Sequence, residues 1–249
     1  MSTRKKQLAG AAAVILGAAF LVQAASAQPV FPGNYSYPLQ DMIRDTREHL
    51  EMVLTAMALA ISAGVPLGVL VTRPRVTKIS PVIMVPVYLG QTIPSFAILA
   101  LALPLVGIGF KAAVFALFFN ALLPIVRNTY AGINGIDPSV IESARGMGMT
   151  QNQIFRKIEV PLAIPVIMAG VRVATVVTVG TATLAALIAA GGLGKQIFAG
   201  LLFFNLPLVF KGAALTAGLA IVLDTLLGHL ESRLTPKGVK VEVTRQQAA

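Results

Sequence analysis

Long apolar stretches alternate with short polar ones along most of this chain. Five stretches are long enough to cross a bilayer as helices, for which about 20 apolar residues suffice. They cover residues 52–71, 79–103, 112–130, 162–190 and 206–227. Backbone polar groups in lipid need hydrogen bonds within the chain, so the pattern predicts an all-α membrane protein, a polytopic helical bundle.

A sixth apolar run covers residues 8–25, after a basic start and before the small residues of Ala25-Ser26-Ala27. This pattern fits a cleaved secretory signal peptide and also a retained first span. Residues 1–28 are therefore read as a signal peptide or a first transmembrane helix. The prediction is six spans, or five if the N-terminal segment is cleaved.

The polar stretches set the other predicted boundaries. Residues 29–50 combine prolines with a mixed-charge segment at 41–51, which is typical of an extracytoplasmic linker and an interfacial helix. Residues 51–232 form one transmembrane domain with a long polar loop at 136–160. Residues 233–249 form a tail.

The charges fall where membrane topology requires them. The chain has 20 Lys and Arg against 10 Asp and Glu, only 12% charged residues, and a mean hydropathy of +0.79. Its basic residues collect in alternate loops, and this distribution predicts that those loops are cytoplasmic. Membrane topology then explains the net positive charge, and no nucleic-acid partner is expected. The cytoplasmic set is Arg73, Arg75, Lys78, Arg127, Arg145, Arg156, Lys157, Arg233, Lys237, Lys240 and Arg245. Both termini are then cytoplasmic if the first segment is retained.

The polar loop carries signals for two short helices that meet at a corner. Asp137 is a good N-cap before Pro138, and Gly148 can adopt the left-handed conformation that closes a helix. Thr150, with Gln three positions later, forms a capping-box pattern, and Pro161 is expected to begin the next span. The loop is therefore predicted to be a rigid helical elbow.

A rigid, polar elbow suggests a docking element for a soluble partner. Met147 and Met149 offer adaptable apolar contacts at its corner. The alternative is a helical re-entry that packs only against its own bundle.

The elbow also carries a specific spacing. It reads Glu142-Ser143-Ala144, three residues, Gly148, nine residues, then Ile158-Glu159-Val160-Pro161. This resembles the cytoplasmic loop of membrane subunits of binding-protein-dependent ABC importers, whose pattern is E-A-A, three residues, G, nine residues, I-x-L-P. Ser143 and Val160 are mild departures from it.

Other segments resemble one branch of those importers. GQTIPS at 90–95, LPIVRNTYAGI at 123–133 and TLAALIAAGGLG at 183–194 are similar to permeases of osmoprotectant importers. Such systems carry glycine betaine, choline, carnitine or related quaternary amines. The resemblance covers about residues 45–238 and implies a type I ABC importer permease fold, like that of methionine permeases, in a bacterial cytoplasmic (inner) membrane.

The resemblance also implies partners and roles. The chain would be a non-catalytic permease, with ATP hydrolysed by two ATP-binding cytoplasmic subunits. A second permease copy or paralogue, an extracytoplasmic substrate-binding protein and membrane lipid complete the expected partners. Residues 138–157 would sit in a groove of the ATPase. The expected coupling positions are Glu142, Ser143, Ala144, Arg145, Met147, Gly148, Thr150, Ile158 and Pro161.

Chemistry within the chain itself is not expected. The run Gly191–Gln196 fails the phosphate-loop pattern at Ala189 and Gln196, and His49 and His229 lack the neighbours that a zinc site needs. No catalytic residue, cofactor or metal is therefore predicted.

Polar groups within the spans suggest two further features. Arg172 lies eleven residues after Pro161, about 16 Å along a helix, and Asp224 is its best available partner for an intramembrane ion pair. A weakly polar translocation path is the second feature, with simple interhelical packing as its equal alternative. The path candidates are Gln91, Thr92, Asn120, Thr175 and Thr178.

Three alternative functions remain at this point. One is the permease of an amino-acid importer of the methionine type, which shares the elbow. A second is a stand-alone secondary carrier, and a third is a membrane-anchored scaffold without transport.

Overall fold

The computed structural model describes residues 37–73, 76 and 79–235, and every regular element in these ranges is helical. The α-helices are α1 Leu39–Val71, α2 Ser80–Gly90, α3 Ser95–Val106, α4 Phe110–Asn134, α5 Pro138–Gly146, α6 Gln151–Ile154, α7 Val160–Thr181, α8 Gly194–Leu202 and α9 Leu206–Leu234. A π-helical segment, Phe155–Glu159, joins α6 to α7, and a 3-10 segment, Ala182–Ile188, extends α7. The predicted segment 1–28 and most of the predicted tail lie outside the described residues.

The predicted membrane helices are present. Four continuous helical runs are long and apolar enough to span a bilayer: α1, α4, the run Gln151–Ile188 and α9. The helices α2 and α3 pass the same test together, with a bend of 100° between them. The described residues thus hold four spans, or five if the bent pair is one span, and the prediction of six is not reached within them.

The predicted interfacial helix is not separate from the first span. Helix α1 begins at Leu39 and runs without interruption to Val71. Asp45 and His49, in its first turns, are fully buried. Two polar side chains of this segment are therefore turned into the protein, while Arg44, Arg47 and Glu51 stay exposed. No break in the helix marks residue 50.

Two prolines behave differently from each other. The helix that begins at Ser80 ends at Gly90 and a new helix begins at Ser95, directly after Pro94, so the predicted stretch 79–103 is interrupted. Pro161, in contrast, does not begin a span, because it lies inside the run that starts at Gln151. Just before Pro161 the bonding changes, and the Val160 N–H donates to the Phe155 carbonyl five residues back. The second elbow helix therefore continues into the membrane helix.

By contact density, the chain divides into two compact units. Among the described residues, the first contains 37–56, 95–117 and 175–223, and the second contains 57–94, 118–174 and 224–235.

A glycine-rich turn organises the first unit. Ala189, Gly191 and Gly192 have φ of 56°, 93° and 84°, a left-handed conformation that favours glycine. The Gly192 N–H donates to Glu48 Oε2 at 3.1 Å. Lys195 Nζ bonds Glu48 Oε2 at 2.7 Å and Asp45 Oδ1 at 3.1 Å. The buried Asp45 also accepts the hydroxyl of Tyr37, so the turn is fastened to the start of α1.

Close helix contacts organise the second unit. A Cβ at Gly68 would lie 2.5 Å from Thr129 Cβ, so the backbone of α1 lies against α4. A Cβ at Gly170 would lie 2.4 Å from Asn128 Cβ, so α7 also lies against α4. Small residues permit this close approach of helices. Helix α4 therefore has α1 and α7 packed against it.

Candidate functional site: an exposed helical elbow

The first arm of the elbow, α5, begins as the sequence predicts. The Ser139 N–H donates to Asp137 Oδ1 at 2.8 Å, and Pro138 occupies the first helical turn. This backbone hydrogen bond lowers the pKa of the Asp137 carboxyl below its ordinary value. Asp137 therefore caps the helix in its charged form.

The corner between the arms is made by two backbone hydrogen bonds. Gly148 has φ of 79°, its N–H donates to the Arg145 carbonyl at 2.9 Å, and the Met149 N–H donates to the Ala144 carbonyl at 3.2 Å. This is the Schellman arrangement, which ends a helix at a left-handed residue. The predicted role of Gly148 in closing the helix is confirmed.

The second arm opens with the predicted capping box. The Gln153 N–H donates to Thr150 Oγ1 at 3.4 Å, and the Thr150 N–H donates to Gln153 Oε1 at 2.8 Å. Two capped ends separated by one corner hold the elbow in a single conformation.

Most of the elbow is accessible. Met147 is 73% exposed at the corner, and Ala144 is the buried residue of α5. Ile158 and Pro161 are half-buried on the second arm. The other predicted coupling residues, Glu142, Ser143, Arg145, Gly148 and Thr150, are exposed. The elbow therefore presents a polar surface with one prominent methionine, which is more than packing against its own bundle would require.

Arg172 and Asp224 are brought together by the structure. Arg172 donates from Nε to Asp224 Oδ1 and from Nη2 to Oδ2, both at 2.8 Å. Nη1 donates to Glu231 Oε2 at 3.0 Å. The bidentate geometry suits a guanidinium and a carboxylate. Glu231 was not predicted, although its spacing of seven residues from Asp224 places both on one helix face.

The predicted path residues fall in both compact units. Thr175 and Thr178 are buried within the first unit at 4% and 0% exposure. Gln91, Thr92 and Asn120 belong to the second unit. Gln91 Oε1 accepts a hydrogen bond from Arg127 Nη1 at 3.3 Å. For the two threonines, a place on the path and simple packing both stay predictions.

Sequence reasoning missed one contact at the base of the elbow. Arg73 Nη2 donates to Glu159 Oε2 at 2.8 Å, and the guanidinium carbon lies 4.7 Å from the centroid of the Phe155 ring. An unpaired glutamate within the otherwise apolar Ile158–Pro161 segment was the available signal.

Several curated relatives match most of this chain. The glycine betaine/carnitine/choline transport system permease protein of Bacillus subtilis (strain 168) is 44% identical over 200 residues, which are 80% of this chain and 91% of the relative. The carnitine transport permease protein of Listeria monocytogenes is 45% identical over the same shares. An osmoprotectant import permease protein of Salmonella typhimurium is 44% identical, over 80% of this chain and 84% of the relative.

Solved structures agree on the fold. A chain of the inward-facing MetNI methionine ABC transporter matches with a TM-score of 0.72 and 25% identity, over 80% of this chain and 98% of that chain. An amino acid ABC transporter crystallised with histidines matches with a TM-score of 0.62 at 21% identity. The expected resemblance to the methionine-permease fold is confirmed.

A family match covers both arms of the elbow. The family described as "Binding-protein-dependent transport system inner membrane component" matches residues 64–236. This chain belongs to that family of multi-pass membrane permeases.

Proposed function

We propose that this chain is the permease subunit of an ATP-driven importer of a quaternary-amine osmoprotectant such as glycine betaine, choline or carnitine. The observation that carries the proposal is the 44–45% identity to permeases named for those solutes. The methionine transporter matches at 25% identity. The comparison therefore favours osmoprotectants over the methionine-type alternative.

The exposed elbow is the proposed coupling site. Two ATP-binding cytoplasmic subunits would each receive one elbow in a groove, with Glu142, Ala144 and Gly148 at the centre of the contact. Met147 supplies apolar contact, and the capped arms keep the corner in shape for docking. The chain itself would hydrolyse nothing, since ATP is consumed by the partner.

Force on the elbow would then reach the membrane helices. The second arm continues from Gln151 into the helical run that ends at Ile188, so a push at the corner acts along a continuous helix. A second permease copy or paralogue would complete a path that opens alternately to each side. An extracytoplasmic binding protein would deliver the solute.

The sidedness follows from the basic loops. The elbow and residues after 232 would be cytoplasmic, and residue 37 would lie on the opposite side of the inner membrane. Cysteine labelling at exposed Met147 in intact and opened cells tests this. Labelling of intact cells by an impermeant reagent would contradict the proposed sidedness.

The function is tested by uptake of labelled glycine betaine, choline and carnitine. The chain is reconstituted in vesicles with its ATPase subunit and binding protein. Gly148→Asp is expected to reduce uptake by at least about tenfold, a typical size for a coupling effect. Uptake without ATP would instead support a secondary carrier, and saturable methionine uptake would support the amino-acid alternative.

Gly107→Asp is the matched control. Gly107 and Gly148 both have positive φ, 90° and 79°, and a Cβ at either one meets nothing within 4 Å. The two variants therefore carry the same new charge and similar backbone strain, but only one lies on the elbow. If Gly148→Asp and Gly107→Asp change uptake by the same amount, the elbow has no specific part in transport.

A further inference from the structure

Arg73 holds both ends of the π-helical segment that joins the elbow to α7. The residue follows the end of α1. Its guanidinium donates to Glu159, the last residue of the segment, and covers the ring of Phe155, the first. The contact joins residues separated by 86 positions in the sequence. It therefore fastens the base of the elbow to a different membrane helix.

The geometry of this contact requires an arginine. Besides bonding Glu159, the guanidinium donates to Thr72 Oγ1 at 2.9 Å and from Nε to the Val69 carbonyl at 3.2 Å. The bonds to Thr72 and Val69 orient the planar group, while its face lies over Phe155. A lysine ammonium has neither the plane nor the fork that these contacts use.

The pair is largely removed from water. The side chains of Arg73 and Glu159 are 24% and 11% exposed. An isolated ion pair at a surface contributes little, whereas a partly buried carboxylate without its partner is destabilising. Glu159 therefore depends on Arg73.

The contact closes a triangle of helices. Gly64 and Gly68 bring α1 against α4. Gly132 and Gly170 bring α4 against α7, with a Cβ at Gly132 falling 3.2 Å from the Ala163 carbonyl. Arg73 supplies the third side, between α1 and the base of α7. Three helices that each contact the other two resist sliding better than three helices held by only two contacts.

The π-helical segment is the part of the run Gln151–Ile188 where a supporting contact matters most. It changes the hydrogen-bond register, and Pro161, two residues later, has no N–H to donate. Segments of this kind bend more readily than a regular α-helix, and they occur at functional sites.

We propose that Arg73 is a positioning residue for coupling, which transfers displacement of the elbow to α1 as well as to α7. This inference rests on the proposed function, because it assigns Arg73 a part in transmitting force from the ATPase. Without Arg73, the elbow still docks, but the π-helical segment absorbs part of its movement. ATP is then hydrolysed with less solute moved.

The test measures solute imported per ATP hydrolysed in reconstituted vesicles that contain the complete importer. For Arg73→Gln we expect this ratio to fall by about tenfold, with ATPase subunits still bound. Arg73→Lys should give an intermediate ratio because it keeps the charge and loses the planar contacts. Exchange of the pair, Arg73→Glu with Glu159→Arg, should exceed the ratio of either single change.

Arg47→Gln is the matched control. Arg47 pairs with Glu51 at 2.7 Å, but that exposed pair lies within one helix and does not touch the elbow. Arg47→Gln should import as much solute per ATP hydrolysed as the unchanged chain. If Arg73→Gln also keeps the unchanged ratio, the proposal is overturned.

Two further comparisons separate failure of this proposal from misfolding of a variant and from failure of the proposed function. If Arg73→Gln does not fold, Arg73→Lys and Phe155→Leu still test the contact, and an unchanged ratio in both would overturn the proposal. If the unchanged chain shows no ATP-dependent uptake of any osmoprotectant, the proposed function fails instead.

Discussion

The corner at Gly148 and the turn at 189–194 both use left-handed residues, yet their surroundings are opposite. A Cβ added at Gly148 meets nothing within 4 Å. In the turn, a Cβ at Gly191 would lie 2.2 Å from Glu48 Oε2, and one at Gly194 would lie 1.8 Å from the Thr183 carbonyl oxygen. The first corner is open and the second is packed.

This difference separates two uses of glycine. At Gly148 the residue is needed only for its backbone conformation, and the space around it is left for a partner. At Gly194 the residue is needed because the Thr183 backbone occupies the space. Gly191 combines a positive φ with the nearby Glu48 carboxylate. Changes at the packed turn should therefore affect folding, and changes at the open corner should affect local order and docking.

The largest expected effect is that of Gly194→Ala. The added methyl group would displace the Thr183 backbone, and overpacking of this kind costs about 3 kcal/mol. The unfolding midpoint Tm of the detergent-solubilised protein measures it. Gly180→Ala is the control, because a Cβ there meets nothing within 4 Å and alanine favours the helix by about 1 kcal/mol. A Tm of Gly194→Ala equal to that of the control would contradict the packed turn.

Lys195→Met should have the next largest effect. It removes a cation from the fully buried Asp45 and from Glu48. We expect a loss of about 2 kcal/mol, below the full value for a buried pair because Lys195 is partly exposed. Denaturant unfolding measures the loss, and the exposed Lys111→Met serves as control. Adding Asp45→Asn should recover part of the loss, and an additive second loss would argue against the pair.

Gly148→Ala should have a smaller and local effect. The left-handed conformation costs a residue with a Cβ about 1 kcal/mol, while asparagine tolerates it better. Hydrogen exchange of amides 139–154 should accelerate in Gly148→Ala and less in Gly148→Asn, with a fall in stability of no more than about 1 kcal/mol. A global loss of stability well above about 1 kcal/mol in either variant would mean that this corner, too, is packed.

The smallest effect concerns pH at Asp137. The pKa of its carboxyl is lowered in the folded chain by the Ser139 N–H, so the cap is fully effective above the unfolded value of about 3.9 and is lost as pH falls through the folded value. Protection of the Ser139 amide from exchange should therefore decrease below about pH 4. Asp137→Asn should not show this pH dependence. The same dependence in that variant would exclude Asp137 as its source.

The elbow was predictable because its determinants are local. Asp137, Gly148 and Thr150 each act on neighbours within five residues, so a single sequence contains both partners of each bond. Most of the helices were predictable for a similar reason, since apolar length alone identifies a membrane span.

The contacts that fasten the structure were not predictable. Arg73 and Glu159 are 86 residues apart, and Lys195 and Asp45 are 150 apart. Nothing local indicates which charges meet. The continuity of α1 through residue 50 was missed for the same reason, because Val179 and Lys195, which bond His49 and Asp45, are distant in the sequence. The pairing of Arg172 with Asp224 could be predicted only because few charged residues lie within the spans.

The bond between Arg73 and Glu159 also bears on whether the chain between these residues crosses the bilayer an even or an odd number of times. It holds the end of α1 beside the start of the run Gln151–Ile188, so both are expected at one face of the bilayer. Between them lie α4 and the bent pair of α2 and α3. If α4 crosses the bilayer once, a return to the same face needs one more crossing, and we therefore expect the bent pair to traverse the bilayer. On this expectation, residues 37 and 235 would lie in opposite compartments, in agreement with the sidedness proposed from the basic loops.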